Sequence, residues 1–320
     1  MFGTLKAANS KERFPRHQSS VSGPHRPHEP ECERASSPLL SPPEEERGNR
    51  RRSACGFTLI ELLAVVVMVV FLVSVLATAL ATTRTNTSTL QCLNNLCQLG
   101  ATWAMYADDN EGRLVPYRRG TGGGLTLSNE CWVAGLLDFT SRADNTNIGY
   151  LIDHVRYPYG AYFGPYLRSA EVFKCPSDRS VVVIGGQQLP RSRSVSMSNY
   201  GDPFTSRPFT SRFTELGQFT SPADVFIILD ERPDSLNDGV FMMDPDTKWQ
   251  LVDFPGFLHD GAGNFVFADG HTATHRWEDP RTVPELVPGQ PILYYNINVP
   301  NDVDVLWLAR HATGNLSYPN

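Results

Sequence analysis

The chain has 320 residues, 41% of them apolar, and a formal charge of −6, which allows one or two domains with a sizeable core. The charge is uneven: residues 1–56 hold ten Lys/Arg against seven Asp/Glu, and the remainder holds eighteen against twenty-seven. An acidic remainder without a basic, aromatic-interleaved stripe repels phosphate backbones, which argues against nucleic acid as a partner.

Residues 1–55 are rich in Ser, Pro, Glu, Arg and His and end in the cluster Arg50, Arg51, Arg52. Such a segment buries too little apolar surface to fold. After Gly56 the chain reads FTLIELLAVVVMVVFLVSVLATALA, Phe57 to Ala81, twenty-five residues with the single charge Glu61. As a helix this run is about 37 Å long, enough for a bilayer core of about 30 Å. The preceding arginines place its N-terminal side in the cytoplasm and everything after residue 82 outside. The helical period continues through Leu90, Leu93, Leu96, Leu99 or Gly100, Trp103 and Tyr106 or Ala107. One helix is therefore predicted from Phe57 to about Asp108, apolar first and amphipathic after, stopped by Asn110-Glu111-Gly112.

Beyond it, short β-prone runs at Val181–Ile184, Val225–Leu229 and Asn264–Ala268 are separated by Gly, Pro, Asn and Asp clusters. They predict an antiparallel sheet with long loops. Asp269-Gly270 has turn chemistry, and Thr272–Trp277 supplies a returning strand for a hairpin. The Gly120–Gly124 region and the segment from Pro284 onward carry the least pattern.

Cys32, Cys55, Cys92, Cys97, Cys131 and Cys175 are too scattered for a disulfide scaffold, and no CxxC pair suggests zinc. Cys92 and Cys97 on one helix sit about 140° apart around its axis and cannot bridge. Most of the six read as small buried apolar residues.

A glutamate at the fifth position of a bilayer-length apolar run is costly, and it needs a positive partner at similar depth. A cut just before Phe57 would create one, the free α-amino group. Gly56 is small enough for a protease, and the arginines would hold the site at the cytoplasmic face. An ordinary secretory signal using Ala77-Thr78-Ala79 or Ala79-Leu80-Ala81 fits less well, because the run is about twice a typical h-region of 7–15 residues.

Gly56-Phe57-Thr58-Leu59-Ile60-Glu61-Leu62 closely resembles the class III signal of type IV prepilins and type II secretion pseudopilins. The resemblance implies that prepilin peptidase cuts after Gly56 and that Phe57 becomes N-methylated. It also implies that Glu61 recruits the subunit by compensating a neighbour's amine, with other pilin or pseudopilin subunits, an inner-membrane assembly platform and membrane lipid as partners. The leader, with 55 residues before Gly56, is longer than those of the family. Farther on, His259 is followed after nine residues by Asp269-Gly270, similar to the processing-associated H-x9-DG domain of pseudopilin-like proteins. Cys175-Pro176-Ser177-Asp178 and Asn94-Asn95-Leu96 also look like that family.

Read from the residues, His259, Asp269 and Gly270 are expected to serve folding, as a turn and a hydrogen bond between the motif's two ends, rather than as metal ligands or an acid–base pair. The acidic loop with Asp230, Glu231, Asp234, Asp238, Asp244 and Asp246 is a candidate calcium site, since hard cations take carboxylate and carbonyl oxygens, although EF-hand spacing is absent. The resemblance adds that major pseudopilins carry calcium in the corresponding loop region. No Ser/His/Asp order, phosphate loop or nucleophile elbow points to an enzyme or an organic cofactor.

The expectation is an α+β, pilin-like fold: a leader over 1–56, a transmembrane helical segment over 57–81, its amphipathic continuation over 82–112, and a β-rich domain over 113–320. The protein would sit in the inner membrane as a single-pass subunit, its C-terminal domain periplasmic or extracellular. The rival reading is a membrane-tethered binding module or adhesin that uses the same signal for export; a tethered hydrolase using His259 and Asp269 is a third.

Overall fold

The computed structural model describes residues 58–116, 123–199, 213–244, 249–292 and 297–314. They belong to one compact α+β unit, Thr58–Asn320. Helix α1 spans Leu59–Asp109 without a break. Thr58 starts it in a capping box, its hydroxyl accepting from the Glu61 N–H while the Glu61 carboxylate takes the Thr58 N–H at 2.8 Å and hydroxyl at 2.7 Å. The helix ends where predicted. Asn110 caps it, and Glu111 and Gly112 take positive φ so that the Gly112 N–H returns to the Ala107 carbonyl at 2.8 Å.

The two halves of α1 differ in surroundings. From Leu59 to Leu76 every large apolar side chain is exposed, and Leu59–Ala77 is long and apolar enough to cross a membrane. The one hydroxyl whose bond is resolved in this stretch, on Ser74, is turned back to the Phe71 carbonyl at 2.7 Å, so it presents no free donor outward. In the second half Cys92, Leu96, Leu99, Trp103 and Ala107 are buried. The expected stripe is thus corrected at its start. Leu90 is exposed and Leu93 half-buried, because the helix meets the sheet only from Cys92 onward, on the face one step round.

The remaining elements are α2 (Gly149–Ile152), β1 (Val181–Ile184), β2 (Gln187–Pro190), β3 (Val195–Ser198), β4 (Phe226–Asp230), β5 (Val240–Phe241), β6 (Met243–Asp244), β7 (Gln250–Leu251), β8 (Ala262–Phe267), β9 (Thr272–Arg276), β10 (Ile297–Asn298) and α3 (Val303–Thr313). The main sheet has the order β5-β3-β4-β8-β9. Its pairs are antiparallel except β3 with β5. That exception departs from the expected all-antiparallel sheet: the loop after β4 carries the chain past β3, so β5 runs opposite to β4 yet parallel to its actual neighbour. β1 and β2 form a separate hairpin, and β10-β7-β6 a small second sheet.

Central strands β4 and β8 are buried along their whole length because helices cover both faces. Ile227, Ile228 and Val266 pack with α1; Phe226, Leu229, Phe265 and Phe267 pack with α3. Two successive residues of β4 face α1 because the β4–β8 register slips between Phe226 and Ile228, a bulge that breaks the period-two alternation. Gly100 permits the closest approach of helix to sheet: a Cβ there would lie 2.5 Å from Val266 Cγ2. The hairpin at Asp269-Gly270 forms between β8 and β9, with Gly270 at φ 90°.

Helix α3 lies in the stretch with least sequence pattern. Asp302 caps its start by accepting from the N–H groups of Asp304 and Val305, and Gly314 in the left-handed region closes it.

Candidate functional site

Two features stand apart chemically, the start of α1 and a polar cluster inside the α1 face of the core. At the start of α1, Glu61 is exposed in the first turn, and its side-chain bonds go to Thr58. Gly56 and Phe57 lie outside the described residues.

The cluster joins Cys92 of α1, Cys175 of the CPSD element, Asp230 at the end of β4 and His259 in the loop before β8. One ligand atom from each falls within 4.8 Å of all the others, and all four residues are at most 4% exposed. His259 Nε2 lies 3.1 Å from Cys175 Sγ and 3.4 Å from Asp230 Oδ2.

Local bonds aim each member. The other ring nitrogen of His259, Nδ1, meets Thr89 Oγ1 of α1 at 3.1 Å. Asp230 Oδ1 accepts from the Asn264 N–H at 2.7 Å, which turns Oδ2 inward, where it is buried without a hydrogen bond. Gly256 lies so close that an added Cβ would stand 2.5 Å from the Asp230 carboxyl carbon. Cys175 donates its N–H to Ser194 Oγ at 2.6 Å, and its sulfur receives the Ser177 N–H at 3.4 Å. Asn95 Nδ2 donates to the Lys174 carbonyl at 3.1 Å and so fastens the CPSD element to α1 one turn below Cys92.

The Asn-Asn-Leu, CPSD and H-x9-DG signatures therefore meet at one place through Asn95, Cys175 and His259. No family model, curated protein or solved structure matches this chain. What the cluster does must come from its own chemistry.

The Cys92 thiol donating to Cys175, helped by His259, pulls the Cys175 thiol down to about 6, and the same bond together with burial pushes Cys92 up. Burial alone would depress His259, but Asp230 and Cys175 outweigh it and raise the imidazole to about 9. Burial also raises the Asp230 carboxyl. Positive charge on the imidazole is therefore favoured by the carboxylate and sulfur that surround it.

The other predicted positions are separate from this cluster. Asp269 accepts from the backbone N–H of His271 and pairs with its Nδ1 at 2.6 Å. The motif's two ends, expected to bond one another, instead turn to different partners because β8 carries Asp269 to the far end of the strand. In the acidic loop, Arg232 holds Asp234 bidentately at 2.5 and 2.8 Å, and Ser235 Oγ donates to Glu231. Buried Arg191 donates to the carbonyls of Pro233 and Leu236, and buried Arg193 to that of Asn237. Asp238 Oδ1 accepts from the Val240 N–H. Among the described calcium candidates, Asp230 faces sulfur and imidazole while Asp234 faces a guanidinium. The Asp244 side chain and Asp246 lie outside the described residues.

The sequence singles out CPSD and His259 but not their meeting with Cys92 and Asp230; Cys92 and Cys97, expected not to bridge, are both free thiols. Cys97 is exposed on the opposite side of α1. A signal was present: Cys92 heads the buried stripe Cys92, Leu96, Leu99, Trp103, whose successive members lie four, three and four residues apart.

Proposed function

We propose that this chain is a membrane-anchored structural subunit of pilin or pseudopilin type, belonging to a type II secretion or type IV pilus-like assembly. Prepilin peptidase cuts between Gly56 and Phe57, Phe57 is N-methylated, and the helix stays in the inner membrane with the folded domain on the periplasmic or outer side. Other subunits of the same class and an inner-membrane platform are its partners.

The observation that carries the reading is the division of α1. One uninterrupted helix exposes a membrane-length apolar half with a lone acid in its first turn, and lays its other half on an antiparallel-rich sheet as the core of a domain. A helix so divided suits a subunit that waits in lipid and then packs against copies of itself, where the acid meets a neighbour's amine. It fits the long-helix-on-sheet plan of a pilin-like fold.

The reading is tested with Glu61→Val. Because the Glu61 side-chain bonds among the described residues stay within the first turn, the variant is expected to be cut and inserted, to keep the parent's melting temperature, and to be absent from sheared filament or pseudopilus fractions. A Glu61→Val protein that enters those fractions as well as the parent overturns the proposal.

A further inference from the structure

We propose that Cys92, Cys175, Asp230 and His259 form a closed, structural site for a tetrahedral borderline-soft divalent metal, of which zinc is the probe of choice. The site stands independently of how the N-terminus is processed, because it lies wholly within the folded domain.

The donor set comes first. Two thiols, one imidazole and one carboxylate are the ligand types that hold zinc, and four ligands without a free position mark structural rather than catalytic sites. With Zn–S near 2.3 Å and Zn–N or Zn–O near 2.0 Å, tetrahedral ligand atoms stand about 3.3–3.8 Å apart. The separations around His259 Nε2, 3.1 Å and 3.4 Å, and the 4.8 Å limit for the whole group bracket that range, so shifts of about 1 Å or less would bring the four atoms onto a tetrahedron.

Hydrogen bonding alone does not satisfy the cluster. His259 Nε2 carries at most one proton and faces two acceptors, Cys175 Sγ and Asp230 Oδ2. Asp230 Oδ2, in a residue only 1% exposed, makes no hydrogen bond of normal geometry and has only the 3.4 Å contact with His259 Nε2, which the Cys175 sulfur shares. A cation at the centre would satisfy all four inward atoms at once.

The outer contacts are those a metal site needs. Nδ1 lies 3.1 Å from Thr89 Oγ1, a partner that can accept the Nδ1–H when a metal occupies the Nε2 lone pair. Asp230 is held by one oxygen so that the other is presented, and the Ser177 N–H at Cys175 Sγ suits a thiolate. The buried side-chain amide of Asn264 stands beside Cys92, as a donor placed for a thiolate there. Binding releases the thiol protons to solvent as both sulfurs coordinate as thiolates, with no redox step. The metal would tie α1, the CPSD element, β4 and the loop before β8 at the point where α1 enters the domain.

The experiment uses the full chain extracted in mild detergent, without chelator or polyhistidine tag. Elemental analysis is expected to find about one zinc per chain. Cys92→Ser and Asp230→Asn should each lower this more than tenfold after dialysis, while Cys97→Ser, on the exposed side of the same helix, should keep it. Should the cluster variants fail to fold, the parent chain stripped and titrated with Co2+ still decides: one equivalent is expected to give the intense visible bands of tetrahedral cobalt with sulfur-to-metal charge transfer. A metal-free parent chain with free thiols, a Cys92–Cys175 disulfide in the peptide map, zinc retained by Cys92→Ser, or the weak spectrum of octahedral cobalt would each overturn the proposal.

Discussion

The two halves of α1 obey the same helical geometry and opposite packing rules. In the first, Val, Leu, Ile, Met and Phe surround the helix on all sides and none is buried by the protein. In the second, the buried apolar residues fall on one stripe, with Leu90 and Met105 left exposed, and that stripe is sealed against β4 and β8. A helix that is apolar all round needs lipid or other helices for its solvent, whereas a striped one needs a single partner face. The difference teaches that the stability of the folded domain should depend on the second half alone.

The strongest way to break that comparison is to remove one large ring from each half. Trp103 is 2% exposed and meets Phe219 edge-to-face at 5.7 Å, so Trp103→Ala is expected to cost about 3–5 kcal/mol of domain stability. Phe71 is exposed, so Phe71→Ala should leave denaturant midpoints of the detergent-solubilised chain unchanged. Equal losses in the two variants would mean that the halves are not energetically separate.

A smaller effect sharpens the contrast by setting the apolar docking of α1 beside the polar docking of α3. The Asp304 carboxylate accepts from the backbone N–H groups of Glu278 and Asp279 and from Thr282 Oγ1, and lies 3.5 Å from His275 Nε2. Burial would raise its pKa, but His275 and these donors outweigh burial and hold it below the ordinary carboxylate value. Its folded-state pKa is depressed, so its contribution is complete above about pH 4 and is lost as the pH falls through the lower folded value. Asp302, raised chiefly by burial, works in the opposite direction and is lost as the pH rises. Asp304→Asn should cost about 1–3 kcal/mol at neutral pH and flatten the acid limb of the melting temperature against pH. An unchanged acid limb in the variant would remove Asp304 from the account.

How much of this was legible in sequence follows from the range of each interaction. The helix and its stop could be read because period and capping are local, with its first residue at Leu59 after the Thr58 cap where the run itself suggested Phe57. β1 and the β8–β9 hairpin could be read because β-branched runs and Asp-Gly turns are local too. The slip in β4 at Phe226 was not legible, since it is set by the partner strand, and neither was the parallel β3–β5 pair, since it is set by where a loop crosses. Helix α3 carried its own signals in Asp302, Gly314 and the spacing Val305, Leu308, Ala309, Ala312, but Pro300 and three turns of length hid them. The cluster was least legible of all: Cys92, Cys175, Asp230 and His259 lie on four elements, and only the sheet brings them together.

The most direct test of the membrane-subunit account is the N-terminus of the protein recovered from membranes. Mass spectrometry of its first peptide is expected to find a mature chain beginning at N-methyl-Phe57, with Glu61 as its fifth residue. A chain beginning after Ala79 or Ala81 would show α1 being cut off at the end of its apolar half, and would contradict both the anchor and the filament role.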